Sequence, residues 1–390
     1  MRFGFEVSAL VQDADGVTIT TRNTETGAQT VTRARYALAC DGGASGVRAQ
    51  LGIKLLGSTL ETKWVVVDAK VKRWWPERHL LTFWSDAKRP VVDIPLALGN
   101  HRWEFPLEPN ESEADFATHE QLWPLIKAMG LTPEHVEIHQ HAFYKHHTRH
   151  AERWQEGRVF LLGDAAHLMP PWAGQGMQSG IRDAFNISWK LREVLAGRLP
   201  ASLLASYQPE RAPHVAMATA VSEQMGRIIK AQMKGKEKAM MFVGGLLGKL
   251  GVEPPPSPLG FPPSMEAGWM RGPVGEASAV GRMIPQPMIC RSNGKRGRLD
   301  DVLGNGFVLL GEGVNPATLL QPSELAAWDA LGAQYVAVCA GNQEPTSDTD
   351  LIDLDGELLA WMQKYKTRAI AVRPDRFVAA AHGSGLGVPA

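Results

Sequence analysis

Asp164 follows directly on an apolar run, Val159 to Leu162, of the kind that forms a buried strand, so Gly163-Asp164 would set a carboxylate at that strand's carboxyl end. Pro170 and Pro171 stiffen the loop that comes next and remove two backbone donors. Gly174 and Gly176, on either side of Gln175, let a ligand approach the backbone closely. From Met177 onward the apolar residues Met177, Ile181, Ala184, Phe185 and Trp189 recur at helical spacing. A helix starting where the glycine turn ends would direct its free N–H groups at any anion the loop holds. A second run has the same build. An apolar strand from Tyr36 ends in Asp41-Gly42, Gly42 and Gly43 allow a tight turn, Ser45 can cap the turn after it, and Arg48 offers a cation for a phosphate or carboxylate.

The elements that must position these residues can be read along the chain. Phe3 to Val11 and Gly16 to Arg22 are strand-like, joined by a hairpin turn at Asp13-Ala-Asp-Gly16. Leu60 to His147 is strand-rich, with runs at Lys63 to Lys72, His79 to Trp84, Val91 to Leu96 and His101 to Leu107, and a helix at about Glu113–Met129. A further helix is expected to run to about Lys234, followed by a linker rich in Pro and Gly at Pro254 to Pro263. From Gly281 strand and helix patterns alternate. No internal repeat is present.

The first run resembles the second flavin motif of the FAD-dependent aromatic hydroxylases, G-D-A-A-H-x-x-P-P-x-x-G-Q-G-M followed by D-A-x-N-x-x-W-K-L, and matches it over some thirty residues. The second run resembles the same family's D-G-x-x-S-x-V-R motif, in the family's order. The resemblance implies that Asp164, with Gly163 before it, binds the ribityl or ribose hydroxyls of FAD. It implies that Pro170, Pro171, Gly174, Gln175, Gly176 and Met177 wrap the isoalloxazine ring, and that Asp41, Gly42, Ser45 and Arg48 lie near the pyrophosphate and the path of the nicotinamide. Ala39-Cys-Asp-Gly-Gly-Ala-Ser45, Trp64-Val-Val-Val-Asp68, Gly281-Arg-Met-Ile-Pro-Gln-Pro287 and Arg373-Pro-Asp-Arg-Phe-Val-Ala-Ala380 are similar to the 3-(3-hydroxyphenyl)propionate / 3-hydroxycinnamate hydroxylases.

The implied fold is α/β, a Rossmann-like FAD/NAD(P)-binding domain with an inserted substrate-binding β-sheet and a thioredoxin-like C-terminal domain without C-x-x-C. Residues 1–57 and 151–245 would belong to the FAD domain, 58–150 to the substrate sheet, 246–280 to a linker and 281–390 to the C-terminal domain. The implied reaction is ortho-hydroxylation of a phenol with NADH or NADPH and O₂, through a C4a-hydroperoxyflavin. No residue stands out as its general base. The βαβ fingerprint G-x-G-x-x-G is absent, so the chain reads as a family member lacking roughly the first 100 or more residues, including one βαβ unit. A start placed too late, a fragment and a degenerate gene all fit. Beside the hydroxylase reading stand a non-catalytic remnant that binds no FAD and a related hydroxylase acting on another phenol or a polyketide.

Composition narrows the classes. With 390 residues, 44% of them hydrophobic, and 41 basic against 41 acidic residues, the chain is expected to be globular, with nothing to attract nucleic acid or an anionic membrane. The apolar stretch Ala239 to Gly248 is too short to span a bilayer, and the opening residues, Met-Arg-Phe-Gly-Phe-Glu, give no expectation of a signal peptide. Three dispersed cysteines, Cys40, Cys290 and Cys339, argue against disulfides and zinc and fit a reducing cytoplasm. The remaining expected partners are a small phenolic substrate and a second copy of the chain. His135, His139 and His141 share strand parity, but without tight acidic or cysteine partners beyond Glu137 no metal is expected. Ser45, His167 and Asp164 lack the G-x-S-x-G elbow of a hydrolase. Trp64, Trp74, Trp75, Trp84 and Trp103 suit an aromatic-substrate pocket and a plain sheet core equally.

Overall fold

The structure is a computed structural model that describes residues 1–230, 232, 235, 264–343 and 347–390. The chain divides into two compact units, Met1–Gly180 with Met217–Pro256, and Ile181–Ala216 with Ser257–Ala390. Among the described residues no helix is long and apolar enough to cross a membrane.

The first unit opens with β1 (Phe5–Gln12), β2 (Val17–Asn23) and β3 (Gln29–Ala34), an antiparallel three-stranded sheet. Its first turn closes where expected. Asp13 Oδ1 accepts from the backbone N–H of Asp15 (2.9 Å) and Gly16 (3.0 Å), the local bond that makes Asp a turn residue. β4 (Ala37–Ala39) and the short helix α1 (Gly46–Gln50) follow.

A six-stranded antiparallel sheet comes next. It comprises β5 (Leu55–Val71), β6 (Thr82–Trp84), β7 (Val91–Pro95), β8 (Asn100–Pro106), β9 (Val136–Ala151) and, after β10 (Gln155–Glu156) and β11 (Val159–Leu161), the two-residue β12 (His167–Leu168). The spatial order is β12-β9-β5-β8-β7-β6. Strand alternation gives this sheet two unlike faces. Val65, Val67, Trp103 and Phe105 bury one face against Leu122, Leu125 and Ile126 of α2 (His119–Ala128). The other face carries Trp64, Glu104 and Tyr144. The helix expected over Glu113–Met129 is broken in two, a 3-10 turn at Glu113–Phe116 and then α2. Thr118 restarts it with a capping box, its backbone N–H donating to Gln121 Oε1 at 2.9 Å.

Two long helices complete the cofactor-motif region, α3 (Gln175–Leu195) and α4 (Tyr207–Ile229). The helix expected to reach about Lys234 is described to Ile229, and most of the expected linker, with the apolar stretch before it, lies outside the described residues.

In the second unit β13 (Met288–Arg291), β14 (Arg296–Arg298), β15 (Val308–Glu312), β16 (Gln334–Ala340), β17 (Leu351–Asp353), β18 (Ala369–Val372) and β19 (Val378–Ala381) form a mixed sheet of order β14-β13-β17-β16-β15-β18-β19. The helices α5 (Leu299–Leu303), α6 (Pro322–Ala330) and α7 (Glu357–Lys364) interrupt these strands along the chain. β15, β16 and β17 run parallel, each a nearly continuous apolar run as buried parallel strands require. The same unit holds a fully buried ionic group, in which Glu210 accepts from Lys190 Nζ (2.8 Å) and from both terminal nitrogens of Arg373 (2.9 and 2.7 Å).

Candidate functional site

The two glycine-rich motifs meet because their strands are neighbours. β4 and β11 lie parallel, with Ala37 opposite Val159 and Ala39 opposite Leu161, so Asp41 and Asp164 follow at the carboxyl ends of adjacent strands. The carboxyl ends of parallel strands are where α/β sheets bind ligands. The Asp41 turn is internally braced. Asp41 accepts from Ser45 Oγ (2.5 Å) and Val47 N (3.0 Å), and Ser45 Oγ in turn accepts from Arg48 N (2.9 Å), which caps α1. Gly42 takes a left-handed φ of 78°, open to glycine without strain.

Arg48, expected to meet a ligand anion, is buried, and its guanidinium donates to the carbonyls of Ala165 (2.9 Å) and Gly43 (2.8 Å). A guanidinium withdrawn from water must find acceptors, and these two carbonyls lie within reach. It thereby ties the two motifs together across 117 positions of sequence. Arg48→Met, which keeps the stem and removes both charged donors, is expected to lower the stability of this unit by about 2–3 kcal/mol. Urea denaturation followed on the Trp64 side of the unit checks this, and an unchanged midpoint would contradict it.

Beyond β11 the chain turns at Gly163, with φ of 56°, and α3 passes so close that a Cβ on Gly180 would lie 3.2 Å from the Gly163 Cα. Asp164 is exposed, and its carboxylate has no partner among the described residues. Pro170 and Pro171 lead into a single 3-10 turn that Gly174 ends in the left-handed conformation at φ 63°. α3 begins at Gln175, with no acidic side chain in its first turn and with Met177 exposed. An unpaired carboxylate that can accept from hydroxyls therefore stands on the same loop as a helix N-terminus that favours negative charge. That donor and acceptor set fits a ligand with a hydroxylated chain and an electron-rich carbonyl edge, as FAD has.

The polar face of the six-stranded sheet supplies groups that the sequence patterns did not single out. Arg102 holds Asp68 with two bonds (2.8 and 2.9 Å). Tyr144 Oη donates to Glu104 Oε2 at 2.6 Å, and burial raises the Glu104 carboxyl above its usual range. His146 is buried beside them, its ring 5.2 Å from Trp64, 4.9 Å from Tyr144 and 4.7 Å from Trp172, which belongs to the Pro170–Met177 loop. Of the tryptophans weighed, Trp64 joins this group and Trp103 the opposite core, while Trp74 and Trp84 are exposed. A polar cavity of about 850 Å³ opens in the same unit, lined in part by Lys63, Lys145, Lys230, Pro106 and Leu107. Among the described residues no three His, Cys, Asp or Glu converge to hold a metal.

Comparison with known proteins gives concordant matches. The family described as FAD binding domain matches residues 1–222, and the one described as HcaD C-terminal domain matches residues 281–386. A 3-(3-hydroxy-phenyl)propionate/3-hydroxycinnamic acid hydroxylase of Burkholderia cenocepacia is 36% identical over 97% of this chain and 71% of its own length. Its counterpart in Klebsiella pneumoniae is 34% identical over 97% of this chain and 70% of its own. Among solved structures, the flavin-dependent monooxygenase PieE in complex with FAD and substrate superposes with a TM-score of 0.77 at 23% identity, covering 98% of this chain and 73% of PieE, a likeness of fold.

Proposed function

This chain belongs to the FAD-dependent aromatic hydroxylases and is an FAD-dependent monooxygenase, and from that premise we propose that it hydroxylates a phenolic acid of the 3-(3-hydroxyphenyl)propionate or 3-hydroxycinnamate type ortho to its hydroxyl. NADH or NADPH gives two electrons, one atom of O₂ enters the ring in place of hydrogen, and the other leaves as water. FAD, when bound, supplies the redox chemistry that activates O₂.

The chain's own residues do the rest. Asp164 accepts hydrogen bonds from the hydroxyls of the cofactor's ribityl or ribose region. The Gly174–Met177 turn and the start of α3 face the electron-rich edge of the flavin ring. Pro170 and Pro171 keep water from it. Asp41, Gly42, Ser45 and Arg48 brace the turn beside Asp164. In this reading residues 1–57 and 151–245 serve FAD, and 58–150 the substrate. The observation that carries it is the parallel pairing of β4 with β11, which brings both family motifs to adjacent strand ends.

The test is to load the chain with FAD, supply NAD(P)H and O₂, and look by mass spectrometry for a catechol formed from 3-(3-hydroxyphenyl)propionate. Retained flavin with reductant consumed and no hydroxylated product from any phenol would refute the reading. Asp164→Ala is expected to weaken FAD binding about ten- to a hundredfold while the fold is kept, since a charge-assisted hydrogen bond contributes roughly 1.5–3 kcal/mol. Undiminished flavin affinity would remove Asp164 from the site.

A further inference from the structure

Four polar atoms of one aromatic box have no hydrogen-bond partner among the described residues: Nε1 of Trp64, Nε1 of Trp172 and both ring nitrogens of His146. His146 is only 2% exposed and Trp64 not at all. Protein interiors pair nearly all such atoms, so a cluster of exceptions points to a partner that arrives from outside. The backbone also makes an exception here. β5 pairs Thr59 with His147 and Lys63 with Lys145, so three residues, Leu60 to Thr62, stand opposite His146 alone. Bulges of this kind redirect a side chain and occur beside active sites. Trp172 closes the box. Its ring meets that of His146 edge to face at 77°, and it lies so tightly on Gly226 of α4 that any Cβ there would overlap the indole. Lys230 Nζ sits 5.0 Å from the centroid of the same indole.

We propose that the box formed by Trp64, Tyr144, His146 and Trp172 binds the hydroxylated ring of the substrate, with Trp172 as the side chain that the ring displaces and His146 as the acceptor for its hydroxyl. The inference rests on the reading of the chain as a phenol hydroxylase. A phenol ring is smaller than the indole it replaces, and Trp64 and Tyr144 offer it aromatic faces and edges. The imidazole is kept neutral, pushed down to about 3 by burial first and then by the charges of Lys230 and His147. Glu104, on the same face of the sheet, is engaged with Tyr144. A neutral imidazole has one acceptor nitrogen. An imidazole whose pKa is lowered by burial is a far weaker base than a phenolate, whose conjugate acid has a pKa near 10. His146 therefore orients the hydroxyl, and through it the ortho carbon, without serving as the base.

The test is calorimetric titration of the full chain, with and without added FAD, with 3-(3-hydroxyphenyl)propionate and with 3-phenylpropionate, which lacks the hydroxyl. The wild type is expected to prefer the hydroxylated acid about tenfold, one neutral hydrogen bond's worth. His146→Phe is expected to bind both acids equally, with a Tm unchanged or raised because two unpaired nitrogens are gone. His146→Gln, which keeps an acceptor, is expected to retain the preference and decides the matter if the Phe variant folds poorly. A wild type that hydroxylates phenols while His146→Phe keeps the preference overturns this inference alone. A wild type that binds neither acid and hydroxylates no phenol overturns it together with the reading on which it rests.

Discussion

Replacing Glu210 by leucine is expected to destabilise the second unit by about 3–5 kcal/mol, the range for removing one partner of a buried ionic group. The carboxylate is fully buried and accepts five hydrogen bonds, from Lys190 Nζ (2.8 Å), Arg373 (2.9 and 2.7 Å), Asn186 Nδ2 (2.6 Å) and the backbone N–H of Trp269 (2.9 Å). Burial alone would raise its pKa, but the charges of Arg373 and Lys190 and their hydrogen bonds outweigh this and hold it well below the usual range. Without it two buried cations share one carboxylate, Asp375, which accepts from Arg373 Nε (2.9 Å), Arg373 Nη2 (2.6 Å) and Trp189 Nε1 (3.0 Å). The excess charge, rather than the lost bonds, sets the size of the effect. Replacing Lys190 and Glu210 together with Met and Leu, which leaves Arg373 paired with Asp375 (2.6 Å), is therefore expected to cost less than Glu210→Leu alone. Urea unfolding with the m-value held constant measures both. A single variant within 1 kcal/mol of wild type, as for a surface pair, would refute the argument.

This ionic group was invisible in the sequence because its members, Glu210 and Arg373, stand 163 positions apart and neither pattern nor spacing links them. What was legible is local. The Asp13–Gly16 turn, the Ser45 cap and the glycines around Gln175 follow from bonds and φ values that a few adjacent residues decide. The destination of Arg48 was not legible, since the choice between a ligand anion and two carbonyls depends on burial, which only the parallel packing of β4 on β11 creates. The aromatic box lay between these cases. The period-2 parity of Tyr144 and His146 was available, but the three-for-one bulge opposite His146 shifts the register, and no alternation rule anticipates it. The break before α2 shows the same limit at short range, where one Thr118 capping box outweighed a continuous helical pattern.

Mild acid is expected to destabilise both units, beginning well above the carboxylate range. His146 in the first unit and His214 in the second are each pushed from 6.5 down to about 3, foremost by burial. Lys230 and His147 add to this at His146. At His214 the addition comes from Arg211, whose guanidinium lies 2.9 Å from the ring Nδ1. The sign comes from proton counting. Below pH 6.5 the unfolded chain binds a proton at each histidine that the folded chain refuses, so the unfolded state gains as pH falls, by about 1.4 kcal/mol per pH unit per histidine. The loss runs from about pH 6.5 toward pH 3, where the folded rings also protonate and the slope levels off. Below the ordinary Glu value of 4.5 the depressed carboxyl of Glu210 adds a second loss of the same sign in the second unit. Peptide-resolved hydrogen exchange between pH 8 and pH 5 separates the units, because each contains one of the two histidines. His146→Phe is expected to flatten the dependence in the first unit and leave that of the second unchanged. Protection in the first unit that is independent of pH in the wild type would mean that His146 protonates as readily folded as unfolded, and that its ring is not in the dry box described.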